Sequence, residues 1–260
     1  MSATPRLYVA PDLAEGLEIP VDSDQAHYLT RVMRLAPGAP VRVFNGRDGE
    51  FDASLAAFTK STATLKLGPC TRAQLAPQDL WLLFAPLKKA RTDFVVEKAT
   101  ELGVSEIHPV FTERTDADTV RTDRLHRIAV EAAEQTERLD VPAVKEATKL
   151  DLVLAKWNPQ RTLIYADEAG DDGGKPWGGQ TGRAPPVTGR LLAGQGGPAA
   201  ILIGPEGGFS PVERKRLREL PYVQPISLGP RILRAETAAV AALAIYQALA
   251  GDWWGGRASS

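Results

Sequence analysis

The sequence predicts an α/β domain with a mostly parallel sheet, preceded by a small β-barrel. From residue 80 onward, short apolar runs alternate with stretches whose apolar residues recur at helical spacing. Before residue 70, short alternating runs are separated by Gly, Pro and Asn, which is typical of a small barrel. We therefore expect a domain boundary between residues 70 and 80.

The first domain contains a hairpin pattern. In residues 41–58, apolar residues alternate on both sides of the stretch NGRDG at 45–49. Asn and Gly tolerate the positive φ angles that tight hairpin turns require. The stretch TATLKLG at 62–68 adds a further strand.

The second domain begins with the apolar run LWLLFAPL at 80–87, which predicts a strand buried on both faces. A helix is expected over 92–103, where Thr92 can cap it, Asp93 favours its positive end and Gly103 can end it. The remaining elements are expected to be strands over 104–112, 161–168, 199–207 and 222–229, and helices over 122–139, 210–220 and 235–251.

Two local features interrupt this alternation. In SPVE, Ser210 can accept from the Glu213 backbone N–H while the Glu213 side chain reaches back, which is a capping box with Pro211 at the first helical position. Residues 170–198 are dense in Gly and Pro and show no periodicity, so we expect an exposed, mobile insertion.

Composition excludes several classes of protein. Hydrophobic residues make up 43% of the 260 positions, enough for a buried core. Cys70 stands alone, which rules out a disulfide framework and any Cys-based zinc site, and the three histidines lack metal-ligand spacing. No apolar run approaches a membrane span and no signal peptide is visible, so we expect a cytoplasmic protein. The net charge of −1 leaves RNA binding through a local patch open.

The stretch GPEGG at 204–208 lies between a predicted strand and a predicted helix. A phosphate loop needs Lys and then Ser or Thr after its last glycine, but Phe209 and Ser210 follow here. The dinucleotide fingerprint needs G-x-G-x-x-G, which this glycine spacing does not match. The glycines instead permit close approach of a flat ligand to the backbone.

The stretch SLGPRILRAET at 227–237 carries charges that are locally unfavourable. Arg231 and Arg234 stand beside the positive end of the last predicted helix, whereas Glu236 is favourable there. Two cations in such a place indicate an anionic partner, such as a nucleic-acid backbone.

The two motifs, LIGPEGGFSPVE and then SLGPRILRAETA, resemble the SPOUT, or trefoil-knot, RNA methyltransferases, and among them the RsmE-type ribosomal RNA uridine-N3 methyltransferases. Residues 88–115 and 131–144 resemble the first helix and a Gln/Arg/Pro segment of that family, and residues 6–9 and 27–38 resemble its PUA-like barrel.

The resemblance implies a PUA-like RNA-binding barrel over residues 1–73 and a knotted SPOUT methyltransferase domain over 74–255. It also implies a homodimer, S-adenosylmethionine as methyl donor, no metal, and N3 of a uridine in the 16S RNA of the small ribosomal subunit as the acceptor. The residues that it places around the cofactor are Leu202, Ile203, Gly204, Glu206, Gly207, Gly208, Ile226, Leu228, Gly229, Ile232 and Leu233.

For catalysis, Arg234 and then Arg231 are the candidates to stabilise a developing uracil anion or hold a phosphate. Glu236 and Glu206 are candidate bases that can equally be structural carboxylates. The candidates for RNA contact are Arg6, Arg31, Arg34, Lys88, Lys89, Arg114 and Arg138.

Two other functions stay open from the sequence. The protein could be a knotted methyltransferase that modifies a ribose 2′-OH or another base. It could also be an RNA-binding ribosome assembly factor without catalysis.

Overall fold

The computed structural model describes residues 4–59, 62–191 and 197–253. The chain separates into two compact units. One comprises the chain up to Ala76 together with Val130–Val141, and the other comprises Pro77–Ala129 and the chain from Pro142 onward. The domain limits 1–73 and 74–255 stay predictions.

The first unit is built on one five-stranded mixed sheet in the order β1-β3-β4-β5-β2, in which only β1 and β3 run parallel. A short helix, α1, follows β2 and begins with a capping box at Asp22 and Gln25. The elements are β1 (Arg6–Tyr8), β2 (Glu18–Val21), α1 (Ser23–His27), β3 (Pro40–Phe44), β4 (Glu50–Phe58) and β5 (Ala63–Arg72).

The predicted hairpin is confirmed as β3 and β4. Val41 pairs with Ala53 and Val43 pairs with Phe51, so apolar residues of both strands share the buried face. Gly46 takes the positive φ of the turn, at 78°. Alternation therefore determines which face of this sheet covers the core.

The second unit is an α/β domain with a wholly parallel sheet, as the sequence predicts. Its strand order is β12-β10-β11-β6-β7-β8, and β9 also pairs with β7. The elements are β6 (Leu80–Phe84), α2 (Lys89–Glu101), β7 (Glu106–Phe111), α3 (Thr122–Gln135), β8 (Ala143–Val144), β9 (Thr148–Lys149), α4 (Leu150–Ala155), β10 (Thr162–Ala166), β11 (Ala199–Ile203), α5 (Pro211–Glu219), β12 (Val223–Ile226) and α6 (Ala235–Ala250). Helix α3 belongs to this unit up to Ala129, and its remainder belongs to the first unit.

The helix boundaries follow local chemistry with two corrections. The capping box of α5 is confirmed, since Ser210 Oγ accepts from Glu213 and the Glu213 side chain accepts from Ser210. Thr92 does not cap α2, which begins after Lys88; its buried hydroxyl instead bonds the backbone of Leu87. Helix α3 ends at Gln135, earlier than residue 139.

The Gly/Pro-rich segment makes defined contacts in its described parts, 170–191 and 197–198. Val187 and Leu191 are buried, and Pro186 forms a parallel bridge with Ser227. The predicted mobility of 170–198 stays a prediction, and residues 192–196 lie outside the described residues.

Candidate functional site

The candidate site lies where three neighbouring strands end. Strand β10 stands between β11 and β12, and all three run parallel, so the chain after each strand leaves at the same edge of the sheet. In α/β sheets, ligands bind outside the carboxyl ends of the strands. The topology therefore brings together GPEGG after β11, SLGPRILR after β12 and the acidic pair Asp167 and Glu168 after β10.

A first cavity, which we call the motif cavity, has a volume of about 380 Å³. Its walls are mainly apolar side chains from the strand ends and the start of α6, with glycine backbone on one side. It is lined by Arg91, Ala166, Glu168, Trp177, Ile203, Gly204, Pro205, Glu206, Ile232, Leu233, Arg234, Ala235 and Ala238.

Most of the residues expected around a cofactor line this cavity or an adjoining one of about 40 Å³. The small cavity shares Ile232 and Leu233 with the motif cavity. The predicted residues that line the motif cavity are Ile203, Gly204, Glu206, Ile232 and Leu233, and those that line the small cavity are Ile226, Leu228, Gly229, Ile232 and Leu233.

The other three predicted cofactor residues lie elsewhere. Leu202 is fully buried in the core of the second unit and lines none of these cavities. Gly207 and Gly208 line a third space of about 770 Å³, which we call the outer cavity. Gly208 has φ of 65°, and a Cβ there would lie 2.7 Å from Glu168 Oε1, so this position needs glycine.

The predicted catalytic residues are also divided. Arg234, the residue before α6, lines the motif cavity, and Arg231 lines the small one. Glu236 lines none of the three cavities, because its side chain packs at the first turn of α6 and is only 14% exposed.

Arg91 on α2 connects the two motifs, although it is not among the site residues that the sequence predicts. Its guanidinium forms an ion pair with Glu206 of GPEGG, and its Nε lies 3.5 Å from Oε1 of Glu236. The other oxygen of Glu236, Oε2, is buried without a hydrogen-bond partner among the described residues. One cation therefore holds the carboxylates of both motif loops.

Asp167 and Glu168 are a second pair of residues that sequence reasoning missed. Asp167 is buried and accepts from Arg214, with Nε 2.9 Å from Oδ1, and from Arg218. Glu168 forms no ion pair with any other residue that the structure describes, and it lines all three cavities. Burial raises the pKa of its carboxyl group and a hydrogen bond from its own backbone N–H opposes this, while the Asp167 charge raises the pKa and Arg214 and Arg183 lower it.

The outer cavity meets the motif cavity at Glu168 and Trp177, the two residues that line both. Trp177 belongs to the Gly/Pro-rich segment, and the residue is 41% exposed. Aromatic and cationic side chains are frequent in the outer wall: Arg114, Lys175, Trp177, Phe209, Arg214, Lys215 and Arg218.

The seven candidate RNA contacts differ in their exposure. Arg6 is buried in the first unit, where it pairs with Glu50 and donates to the carbonyl oxygens of Ala133 and Arg138. The Arg138 side chain is 11% exposed and pairs with Asp140. Both arginines thus stabilise the first unit, which corrects the expectation that they face RNA.

The other five candidates are exposed. Arg31 and Arg34 lie on the first unit, after α1. Lys88, Lys89 and Arg114 follow strands of the second unit, and Arg114 Nη1 donates to the carbonyl oxygen of Gly207 over 3.0 Å. These five stay predictions.

The described residues contain neither a cluster suited to a metal ion nor a helix suited to cross a membrane. Across 4–59, 62–191 and 197–253, no three His, Cys, Asp or Glu side chains lie together in a way that could hold a metal ion. Nor does any helix in these ranges have the length and apolar character needed to cross a membrane.

Comparison with known proteins agrees with the geometry. Residues 74–247 match the family model described as RNA methyltransferase domain, and residues 21–68 match the RNA methyltransferase PUA domain. Ribosomal RNA small subunit methyltransferase E of Rickettsia conorii is 32% identical over 92% of this chain and 93% of its own length. The protein of the same name from Synechocystis is 33% identical over 94% of this chain and 77% of its own.

The fold is shared with a solved relative. The crystal structure of a ribosomal RNA small subunit methyltransferase E from Neisseria gonorrhoeae bound to S-adenosyl methionine superimposes with a TM-score of 0.79, at 27% identity, over 96% of this chain and all of that one. The predicted fold class, a PUA-like domain followed along the chain by a SPOUT α/β domain, is confirmed. The chain belongs to the RNA methyltransferase family that includes ribosomal RNA small subunit methyltransferase E.

Proposed function

We propose that this protein transfers a methyl group from S-adenosylmethionine to N3 of a uridine in the 16S RNA of the small ribosomal subunit. The observation that carries the proposal is the motif cavity, which the GPEGG and SLGPRILR loops line together. The names of its relatives support ribosomal RNA of the small subunit as the substrate, and a neighbour of the same fold binds the cofactor.

The residues present fit this cofactor. A volume of about 380 Å³ lies within the range of small-molecule sites. Ile203, Ile232 and Leu233 offer apolar surface to a flat adenine ring, and the glycine backbone beside them allows close approach.

When bound, S-adenosylmethionine supplies an electrophilic methyl group on its sulfonium, so the protein must align the acceptor and assist the loss of its N3 proton. Arg234 is exposed at the rim of the motif cavity, where a guanidinium can stabilise negative charge on the uracil ring. Arg231, beside the small cavity, is placed to hold a phosphate next to it.

The exposed cations supply the RNA contacts in this proposal. Arg31 and Arg34 on the PUA-like domain, and Lys88, Lys89 and Arg114 on the methyltransferase domain, would bind phosphates. We further propose a homodimer, as the family resemblance implies, and a cytoplasmic location, as expected from the composition.

The test is mass mapping of small-subunit RNA from a strain that lacks the protein, before and after the protein is added back. One uridine should gain a methyl group that stays with the base when the bond between the base and the ribose is cleaved. A methyl group on a ribose 2′-OH or on another base would replace the proposal with the first alternative. No added methyl group in any fraction would favour an assembly factor.

Arg234→Ala tests the role of the arginine separately. We expect single-turnover methyl transfer to slow by roughly 100-fold, the scale on which loss of one charge-stabilising donor acts, with cofactor affinity within about threefold. Near-normal transfer would remove Arg234 from the mechanism and leave the substrate assignment untouched.

A further inference from the structure

Methylation of uridine N3 requires a group that takes the N3 proton, because N3 attacks only after losing it. Two carboxylates in the motif loops are the first candidates. Glu206 and Glu236 both pair with Arg91, so protonation of either one would break an ion pair that joins the two loops. Neither is well suited to exchange a proton in each turnover.

Glu168 has the opposite surroundings. Within the described part of the chain it forms no ion pair, and its chain neighbour Asp167 already pairs with both Arg214 and Arg218. Burial raises the pKa of its carboxyl group by more than the hydrogen bond from its own backbone N–H lowers it; among nearby charges, Asp167 raises this pKa, and Arg214 and Arg183 lower it. Arg91, Arg231 and Arg234 are further cations that line the motif cavity or the small cavity together with Glu168. A carboxylate in this state can accept a proton near neutral pH more readily than an exposed one.

The position of Glu168 matches the place where the reaction must occur. The methyl group is transferred where the space for the donor meets the space for the acceptor. Glu168 and Trp177 line both the motif cavity and the outer cavity. The outer cavity is large enough for a nucleotide, and its aromatic and cationic wall suits a stacked base with its phosphate.

We propose, on the basis of the proposed function, that Glu168 is the general base that removes the N3 proton of the acceptor uridine. The N3–H bond breaks and the proton moves to the carboxylate of Glu168. The lone pair left on N3 forms the bond to the methyl carbon, the carbon–sulfur bond breaks, and its electron pair stays on sulfur. Trp177 is the surface on which the uracil ring rests while this happens.

The experiment is single-turnover methylation of small-subunit RNA across pH 6–10 with wild-type protein, Glu168→Gln and a control. Glu101→Gln is the matched control, because it makes the same Glu-to-Gln substitution on α2 at a residue that lines none of the three cavities. Calorimetry with S-adenosylmethionine and thermal unfolding are recorded for every variant.

We expect the wild-type rate to rise with pH and then level off, and the Glu101→Gln rate to follow it. The Glu168→Gln rate should fall about 100-fold or more at pH 7, as expected for loss of a general base. Its rate should keep rising toward pH 10, where the uridine ionises without help, while cofactor affinity stays within about threefold. With acceptor RNA that contains 5-fluorouridine, whose N3–H is more acidic, the methylation rates of wild type and Glu168→Gln should differ less.

Three results would overturn the assignment of the base. These are a Glu168→Gln rate within threefold of wild type at pH 7, a loss of rate that neither alkaline pH nor 5-fluorouridine repairs, and a loss of rate explained by lost cofactor binding. If wild-type protein methylates no uridine N3, the proposed function itself fails and the base proposal falls with it.

Discussion

Arg91→Met should weaken the connection between the two motif loops. The substitution keeps a long apolar side chain on α2 and removes the guanidinium that pairs with Glu206 and Glu236. Because the two carboxylates differ in exposure, their couplings to Arg91 should differ, and the difference can be estimated from the structure.

The Glu206 side chain is 42% exposed, so its ion pair belongs with surface pairs, which contribute about 0.2–1 kcal/mol. The Glu236 side chain is 14% exposed, and leaving a buried charge without its partner costs about 3–5 kcal/mol at the limit. Arg91 itself is 35% exposed and lies 3.5 Å from Glu236, which places that coupling between the two limits, at about 2 kcal/mol.

Double-mutant cycles in denaturant measure both couplings, using Arg91→Met with Glu206→Gln and with Glu236→Gln. Calorimetry should show cofactor affinity about tenfold lower in Arg91→Met, a change of about 1.4 kcal/mol. Lys98→Met, which removes another cation from α2, is the control and should leave affinity unchanged. A larger coupling to Glu206 than to Glu236, or two couplings below about 0.3 kcal/mol, would refute this reasoning.

Two further predictions concern the first unit. Burial raises the pKa of Glu134 to about 7, so the folded state holds a proton that the unfolded state has lost, and stability falls by about 3 kcal/mol as pH rises from about 4.5 to 7. Glu134→Gln keeps the acceptor for the Tyr8 N–H. It should raise the free energy of unfolding at pH 8 but not at pH 4, as measured in denaturant. Equal stability of wild type and Glu134→Gln at pH 8 would contradict this. Replacing Arg31 and Arg34 together by Ala should reduce the salt dependence of RNA binding by a slope of up to about 2, measured by titration at several salt concentrations, and unchanged binding would exclude a role for these two.

The sequence was sufficient where structure depends on neighbours along the chain. The capping box of Ser210 and Glu213 needs only residues three positions apart, and the hairpin of β3 and β4 needs only alternation around a short turn. Thr92 shows the limit of such reasoning, because a capping residue type is also suited to bond a strand-end carbonyl oxygen, and here it bonds Leu87.

Contacts between elements that are distant along the chain could not be predicted from the sequence. Arg91 meets Glu206 and Glu236, each more than a hundred positions away, because β6 lies beside β11 and α2 packs against α6. Strand order determines such contacts, and apolar patterns do not reveal it here because β6, β10 and β11 are all largely buried on both faces. The motifs could therefore indicate which loops form the site, but not which cation holds them.

Asp167 and Glu168 are adjacent in the chain, but their carboxylates have different surroundings and different chemistry. The chain is still extended as it leaves β10, since the Asp167 N–H bonds the Ile226 carbonyl oxygen, and successive side chains of an extended chain point to opposite sides. Asp167 therefore points to the arginines of α5, while Glu168 points to the motif cavity and the outer cavity. A carboxylate fixed by two guanidinium groups is a structural anion, whereas one buried without an ion pair can exchange a proton. The chemistry of this pair follows from which side of the strand end each residue occupies, and that is why proton transfer is assigned to Glu168.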